Sequence, residues 1–453
     1  MKAYVFREYD IRGKVPDELG QDSVYLLGRS LGTYFRERGK ESISLGRDCR
    51  LSSPELAEIL KTGLVNTGMT VVDVGMVPTP LLYFSLYHLK VDGGVQITGS
   101  HNPPEYNGFK VCLGKSTIYG EEIQKIRKIG ESGVFAEGRG KVETAEIIPP
   151  YVEDLLKGMK AGPVRRKVVV DAGNGVGGLV APQLYERMGI RVERLFCEPD
   201  GRFPNHHPDP TIPGNLDHLF RKVKESGADL GISFDGDADR IGVVEGDGRI
   251  IWGDQLMILF SRDILKQRPG AKIIGEVKCS QTLYDDIKKH GGIPIMWKTG
   301  HSLIKGKMKA EGALLAGEMS GHLFFADRYY GFDDAIYAGA RLLEILTRDE
   351  KNLQDHLADV PVLVSTPEIR MDCPDEKKFD VVARLAEAFK KDFDVIDVDG
   401  ARVLFEGGWG LVRASNTQPV LVLRFEALNE NRLDEIRNIF MEKLEKELAE
   451  RMS

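Results

Sequence analysis

Three aspartates stand at alternate positions in Asp235-Gly236-Asp237-Ala238-Asp239-Arg240, directly after the apolar run Leu230-Gly231-Ile232-Ser233-Phe234. Three carboxylates so close cannot all stay ionised without a cation. Oxygen-only ligands select a hard ion, Mg2+ or Ca2+, and so few protein ligands leave room for substrate or water, as Mg2+ prefers. An EF-hand would need Gly at the sixth position and Glu at the twelfth; Arg240 and Gly246 stand there, and that template fails. Arg240 beside such a metal suits a phosphoryl oxygen. A second stretch, Thr98-Gly99-Ser100-His101-Asn102-Pro103-Pro104, breaks a strand-like run and presents a hydroxyl, an imidazole and an amide side by side. A nucleophile at a strand end needs such an exposed turn. The same residue types also form turns for backbone reasons alone, so this loop takes its meaning from its company. Gly317-Glu318-Met319-Ser320-Gly321-His322 offers an acceptor, a hydroxyl and an imidazole, a set that can grip sugar hydroxyls. Arg413-Ala414-Ser415-Asn416-Thr417-Gln418-Pro419 combines a guanidinium with small polar residues, an anion nest suited to phosphate.

The elements that must hold these loops fall into four blocks. A chain of 453 residues exceeds what one core serves, which predicts three or four domains of roughly 90 to 150 residues. Over 1–146, Val24, Leu27, Leu31 and Phe35 recur at helical spacing before Gly39. Strands are expected at 42–46, 70–74, 94–98 and 109–113. Helices are expected at 54–66, capped by Ser52 or Ser53, after Pro80, and at 121–129, with Asn107-Gly108 as a turn. Strands separated by helices imply parallel pairing and a three-layer α/β unit. Residues 134–150, closing on Pro149-Pro150, read as a connector. The pattern restarts over 147–249 and again over 250–361. Beyond it, 362–453 carries β-rich runs with helices at 376–390 and 432–449, an α+β unit with a mainly antiparallel sheet.

Composition narrows the class. Hydrophobic content of 42% and charged content of 29% are those of a globular protein. The net charge of −7, with no basic cluster, argues against a nucleic-acid partner. Five scattered cysteines without a CxxC suit a reducing compartment, and each reads as a small buried hydrophobe. The charged N-terminus lacks a signal-peptide core, and no apolar run approaches the roughly 20 residues of a membrane span. The expectation is a cytoplasmic protein with no membrane partner. One competing reading is an NAD-dependent oxidoreductase: Gly173-Asn174-Gly175-Val176-Gly177-Gly178 fits a dinucleotide fingerprint formally. It leaves the aspartates, the serine loop and the arginine loop unexplained. Gly114-Lys115-Ser116 ends like a P-loop, but Gly108 is one residue off the spacing.

Together the four loops resemble the α-D-phosphohexomutase family, within it the bacterial phosphomannomutase/phosphoglucomutase group, in family order and along essentially the whole chain. The serine motif extends through Asn107-Gly108-Phe109-Lys110. Further matches are Tyr9-Asp10-Ile11-Arg12-Gly13, Gly46-Arg47-Asp48, Asp171-Ala172-Gly173-Asn174-Gly175 and His206-His207-Pro208-Asp209-Pro210. The resemblance implies four domains around a central cleft, three similar three-layer α/β units and a C-terminal α+β unit that closes over substrate. It implies transfer between hexose 1-phosphate and 6-phosphate through a phosphoserine at Ser100 and a 1,6-bisphosphate that turns over in the cleft. Mg2+ would sit on Asp235, Asp237, Asp239 and the modified Ser100, and glucose or mannose 1,6-bisphosphate would act as activator. Arg12, His101, Lys110 and Arg240 would surround the transferring group, with His101 or Lys110 handling the hydroxyl proton. Tyr9, Lys278, His301, Glu318, Ser320 and His322 would face the sugar. Arg413, Ser415, Asn416 and Thr417 would hold the other phosphate, with a hinge near residues 361–367. Met319 favours glucose and mannose over glucosamine, whose phosphoglucosamine mutases usually carry Gln there and remain the alternative. The partners implied are small sugar phosphates, and the chain would be a monomer or weak homo-oligomer.

Overall fold

The computed structural model describes residues 2–416 and 418–452, the last three by backbone alone. Four sheets follow one another along the chain. In the first, Gly93–Ile97, Ser42–Arg47, Thr70–Met76 and Lys141–Thr144 run parallel, while Tyr106–Leu113 pairs antiparallel with both Gly93–Ile97 and Ile11–Lys14. The second has Leu230–Phe234, Lys167–Asp171 and Arg191–Leu195 parallel, then Ile241–Glu245 and Ile250–Ile251 antiparallel. The third joins Ile293–Trp297, Lys272–Glu276 and Leu315–Gly317 in parallel and adds Leu323–Phe325 antiparallel. The fourth is antiparallel throughout, with Ala401–Phe405, Gly408–Ala414 and Val420–Ala427 at its centre.

The parallel pairing expected of strands separated by helices is present in the first three sheets, and each of these also carries antiparallel strands. A strand that returns after a short loop has no crossover helix to turn it round, so it can only pair antiparallel. The strands 241–245 and 323–325 return in this way, and the helix His301–Glu311 precedes the third sheet's hairpin. All four loops singled out in sequence are the tips of such hairpins: 98–105, 235–240, 318–322 and 415–419. In the first three sheets the tip follows the carboxyl end of a parallel strand, where open α/β sheets place their ligands.

Three local expectations also change. Asn107-Gly108 lies inside the strand Tyr106–Leu113 rather than in a turn. A Cβ at Gly108 would stand 2.6 Å from the Ile11 carbonyl oxygen, so the glycine permits close strand approach there. Ser52 stands at the N-cap of the helix Ser53–Val65 but makes no side-chain capping bond, and the Ser53 hydroxyl donates to Asp48 Oδ1 at 2.5 Å. The 134–150 connector contributes the strand Lys141–Thr144 to the first sheet, and Pro149-Pro150 falls in the first turn of the helix Ile148–Gly158.

One hydrophobic cluster runs from the helix Thr79–His88 through the second and third sheets. The first sheet adds its own core, and the fourth sheet packs the helices Asp375–Phe389 and Glu430–Met452 in a separate cluster. Each large apolar side chain buried this way contributes about 1.5–3 kcal/mol. All five cysteines are buried and unpaired, and no helix of the described residues is long and apolar enough to cross a membrane.

Candidate active site

The first two hairpin tips meet face to face. Ser100 takes a left-handed backbone, φ 49°, as does Ala238 opposite, φ 58°. Such conformations cost of order 1–3 kcal/mol and persist only where neighbours fix them. The Ser100 N–H donates to Thr98 Oγ1 at 2.8 Å, and a Cβ at Gly236 would stand 2.4 Å from the Ser100 carbonyl oxygen. The aspartate loop thus lies directly on the serine. Ser100 Oγ donates to Asp235 Oδ2 at 2.7 Å and lies 3.1 Å from His101 Nδ1. The other oxygen, Asp235 Oδ1, accepts the N–H groups of Asp239 and Arg240, both at 3.1 Å, and so shapes its own loop.

Asp235, Asp237 and Asp239 are buried, with ligand oxygens within 4.8 Å of one another. Burial and then the charges of Asp237 and Asp239 push Asp235 well above the usual carboxylate range. Burial would do the same to Asp239, but Lys110 and His322 hold it well below that range. Lys110, reaching from the first sheet, donates to Asp237 Oδ2 at 2.7 Å and to Asp239 Oδ2. Burial disfavours the lysine's charge, yet the two carboxylates raise it above the ordinary value. His322 lies between Asp239 Oδ1 at 3.1 Å and Glu318 Oε2 at 2.5 Å. Against burial, those partners raise it to about 9. Burial, then Arg240 and Arg12, keep His101 well below an ordinary histidine. Asp237 Oδ1 is buried without a protein partner, a state that in a folded protein calls for a bound ion or water. An oxygen-only set with one orphaned acceptor fits a hard divalent cation.

The sugar loop joins the same wall. The Glu318 carboxylate accepts the Gly300 N–H at 2.7 Å and the Ser320 hydroxyl at 3.4 Å. Despite burial, His322 and Lys278 lower it below the usual range. His301 opens its helix with its ring edge-on to Tyr9, centroids 6.0 Å apart. Tyr9 spans three sheets: its hydroxyl donates to the Thr299 carbonyl at 3.1 Å and accepts from Asn416 Nδ2 at 2.7 Å. Arg12 pairs with Asp10 at 2.6 Å and donates to Asn102 at 2.9 Å. Arg240 Nε lies 3.3 Å from His322 Nε2. Lys278 pairs with Glu368 at 3.1 Å, and Arg413 with Asp399 at 2.9 Å. The Ser415 hydroxyl accepts the Gln418 N–H at 3.2 Å. Thr417 lies outside the described residues.

Several members of the site carry no sequence signal. Thr79, at the start of a buried helix, donates to Asp237 Oδ2 at 2.5 Å. Glu276 accepts from Thr299 Oγ1 at 2.7 Å and the Lys278 N–H at 3.1 Å. Asp333 receives Lys305 at 2.8 Å and groups with Asp239 and His322. Lone residues at strand ends and helix starts look alike in sequence.

The dinucleotide-like glycines are occupied by protein. A Cβ at Gly175 would stand 2.6 Å from the Gly236 carbonyl and one at Gly178 2.0 Å from the Cys197 carbonyl. Their close approach serves packing, with no free backbone face for a pyrophosphate.

Family models match in four consecutive segments. They are phosphoglucomutase/phosphomannomutase alpha/beta/alpha domain I at residues 3–137, domain II at 149–248, domain III at 252–363, and the C-terminal domain at 368–443. A phosphomannomutase/phosphoglucomutase from Pseudomonas aeruginosa is 50% identical over 98% of this chain and 96% of its own. A phosphoglucomutase from Neisseria gonorrhoeae is 48% identical over 96% and 95%. The crystal structure of a phosphoglucomutase/phosphomannomutase family protein from Burkholderia thailandensis superposes with a TM-score of 0.94 at 44% identity, over 99% of this chain and 98% of that one. Four hairpin loops on four sheets, matched along nearly the whole length, make this chain a member of the phosphoglucomutase/phosphomannomutase family of enzymes.

Proposed function

We propose that this enzyme interconverts hexose 1-phosphates and 6-phosphates of glucose and mannose through a phosphorylated Ser100 and a hexose 1,6-bisphosphate. The observation that carries the reading is Ser100 Oγ at 2.7 Å from Asp235, inside a buried carboxylate triad with an orphaned oxygen. A plain structural serine would not need three carboxylates and a lysine around it. On this reading the units 1–146, 147–249, 250–361 and 362–453 supply the serine, metal, sugar and phosphate loops in turn.

Asp235, Asp237, Asp239 and the phosphorylated Ser100 would hold Mg2+, which when bound neutralises phosphoryl oxygens. The sugar's free hydroxyl attacks phosphorus and gives up its proton to solvent water, the bond to Ser100 Oγ breaks, and the bisphosphate then returns its other phosphoryl group to the serine after turning over, the freed sugar oxygen taking a proton back. In-line transfer puts the incoming oxygen and Ser100 Oγ on opposite sides of phosphorus. His101 Nδ1, 3.1 Å from Oγ and held neutral by burial, Arg240 and Arg12, therefore serves the serine's end as the base that takes the Oγ proton on phosphorylation, and the imidazolium so formed beside the phosphoserine gives that proton back when Oγ leaves. Lys110, its ammonium fixed by two carboxylates, acts with Arg12 and Arg240 as a charge stabiliser. Glu318 and Ser320 would bind the 3- and 4-hydroxyls that glucose and mannose share, with Tyr9, Lys278, His301 and His322 around the ring. Arg413, Ser415, Asn416 and Thr417 would hold the non-reacting phosphate in either orientation, with movement about 361–367. Glucose or mannose 1,6-bisphosphate would prime the serine. The unpaired buried cysteines support a cytoplasmic setting.

The test is a mutase assay with Mg2+ and a trace of glucose 1,6-bisphosphate on glucose, mannose and glucosamine 1-phosphates. Comparable rates on the first two and little on the third are expected. Dominant turnover of the glucosamine ester would replace the substrate assignment, and no turnover of any would overturn the reading.

A further inference from the structure

Asp48 and Arg50 lie beneath the serine loop and take no part in the chemistry above, although Gly46-Arg47-Asp48 stands out in the sequence. We propose that Arg50 is a positioning residue that sets the conformation and polarity of the serine loop and acts on the reaction only through Ser100. This rests on the phosphoserine reading of Ser100.

Arg50 is fully buried, at 0% exposure. Its guanidinium donates to four main-chain carbonyls of one loop. Nη2 reaches Ser100 O at 2.9 Å and Asn102 O at 2.5 Å; Nη1 reaches Pro103 O at 2.5 Å and Tyr106 O at 2.9 Å. Asp48 holds the cation from behind, its Oδ2 3.2 Å from Arg50 Nε. The same Asp48 Oδ2 accepts the Gly99 N–H at 3.1 Å. Gly99 has no room for a side chain, since its Cβ would stand 2.4 Å from the guanidinium. On the far side the guanidinium lies 5.2 Å from the Phe203 ring centroid, and a Cβ at Gly201 would press on the Cys49 carbonyl at 2.4 Å. Phe203 and Gly201 belong to the second family segment, at residues 149–248. The serine loop is thus gripped between an arginine of its own sheet and a wall supplied by the next.

Two consequences follow for chemistry. A left-handed Ser100 needs neighbours that fix it, and the bond from Arg50 to the Ser100 carbonyl does so one peptide from the nucleophile. Gathering four carbonyl oxygens on one guanidinium also sets a buried cation against their negative ends. A site built for a phosphoryl dianion gains from that, because fixed dipoles act strongly where water is excluded. A planar guanidinium can meet four carbonyls from one point, and an ammonium has three donors on a flexible stem. Lysine at position 50 therefore cannot replace it.

The experiment compares the wild-type chain, Arg50→Lys, Arg50→Ala and Phe203→Leu. It measures steady-state kinetics with Mg2+, single-turnover phosphorylation of Ser100 by glucose 1,6-bisphosphate, and thermal unfolding. Arg50→Lys should lose about 100-fold in kcat and in Ser100 phosphorylation, the scale of a nucleophile misplaced by about 1 Å, with KM within about threefold. Added guanidinium ion should restore part of that loss in Arg50→Ala and none in Arg50→Lys, whose side chain fills the space. A folded Arg50→Lys with near wild-type kcat, or one that loses binding and turnover alike, overturns the proposal. If the Arg50 variants do not fold, Phe203→Leu decides: reduced kcat at unchanged KM supports the clamp, and wild-type kcat sinks it. A wild-type chain that takes up no phosphoryl group on Ser100 instead removes the proposed function itself.

Discussion

At the Ser100 end of the site Lys110, the three aspartates and His322 are buried and answer to one another across sheets. Lys110 of the first sheet meets Asp237 and Asp239 of the second, and His322 of the third closes on Asp239. At the Arg413 end the guanidinium answers to Asp399 within its own sheet, and Gln418 and Pro419 stand exposed. The cores differ in the same sense. The second and third sheets share one hydrophobic cluster with a helix of the first, while the fourth sheet keeps its main core separate and meets the third unit in a small cluster, Trp409 and Leu411 on Val277. Arg402 docks that fourth unit on the third sheet through the Val277 and Cys279 carbonyls at 2.7 and 2.8 Å, and Asn416 reaches Tyr9 of the first. Bond making needs fixed atoms, because small displacements of reacting groups are costly. Holding a phosphate that arrives in two orientations needs an anchor that can let go. On the proposed function, a rigid end and a releasable end would meet both demands in one cleft.

Four substitutions probe that contrast. Ser100→Ala should lower kcat by about 10⁴-fold or more while sugar phosphate still binds, since it removes the group the rest of the rigid end serves; full retained turnover would refute the nucleophile. Asp237→Asn should move the Mg2+ activation midpoint by at least the 10- to 100-fold that loss of an outer-shell partner costs, together with a lower rate. An unchanged metal titration would count against the triad as the cation site. Arg413→Ala removes a charged hydrogen bond worth about 1.5–3 kcal/mol, so KM should rise by roughly 10- to 150-fold with kcat nearly intact. If that variant lost kcat alone, the two ends would not be separable and the contrast would break. Asn416→Ala, which cuts the link to Tyr9, should cost about 0.5–1.5 kcal/mol, seen as a few-fold rise in KM with no change in the Mg2+ midpoint. A fall in thermal stability larger than its effect on KM would make that contact structural.

The four loops were legible because each packs several chemically distinctive residues into a short stretch at an element's end. Ser100 with His101, the aspartates 235, 237 and 239, and Glu318 with Ser320 all appear as local patterns. What stayed hidden was everything that depends on a neighbour far along the chain. Thr79 donates to a carboxylate 158 residues away, and Arg50 holds carbonyls more than fifty residues on. The returning strands 241–245 and 323–325 were unreadable for a related reason: short apolar runs after a loop do not announce which partner they pair with.

The sequence by itself determined which residue types stand at which element ends, namely a serine loop, an aspartate loop, a Glu-Ser-His loop and an arginine loop, in order on successive blocks, and so the chemistry proposed for them. Local residue types and strand-end positions suffice for that. Only the tertiary structure decided that each loop is a hairpin tip, that the first two tips touch at Ser100 and Gly236, and that the aspartates share Lys110 and His322. Those outcomes rest on sheet pairing and burial, which set the charges' neighbours and therefore their protonation.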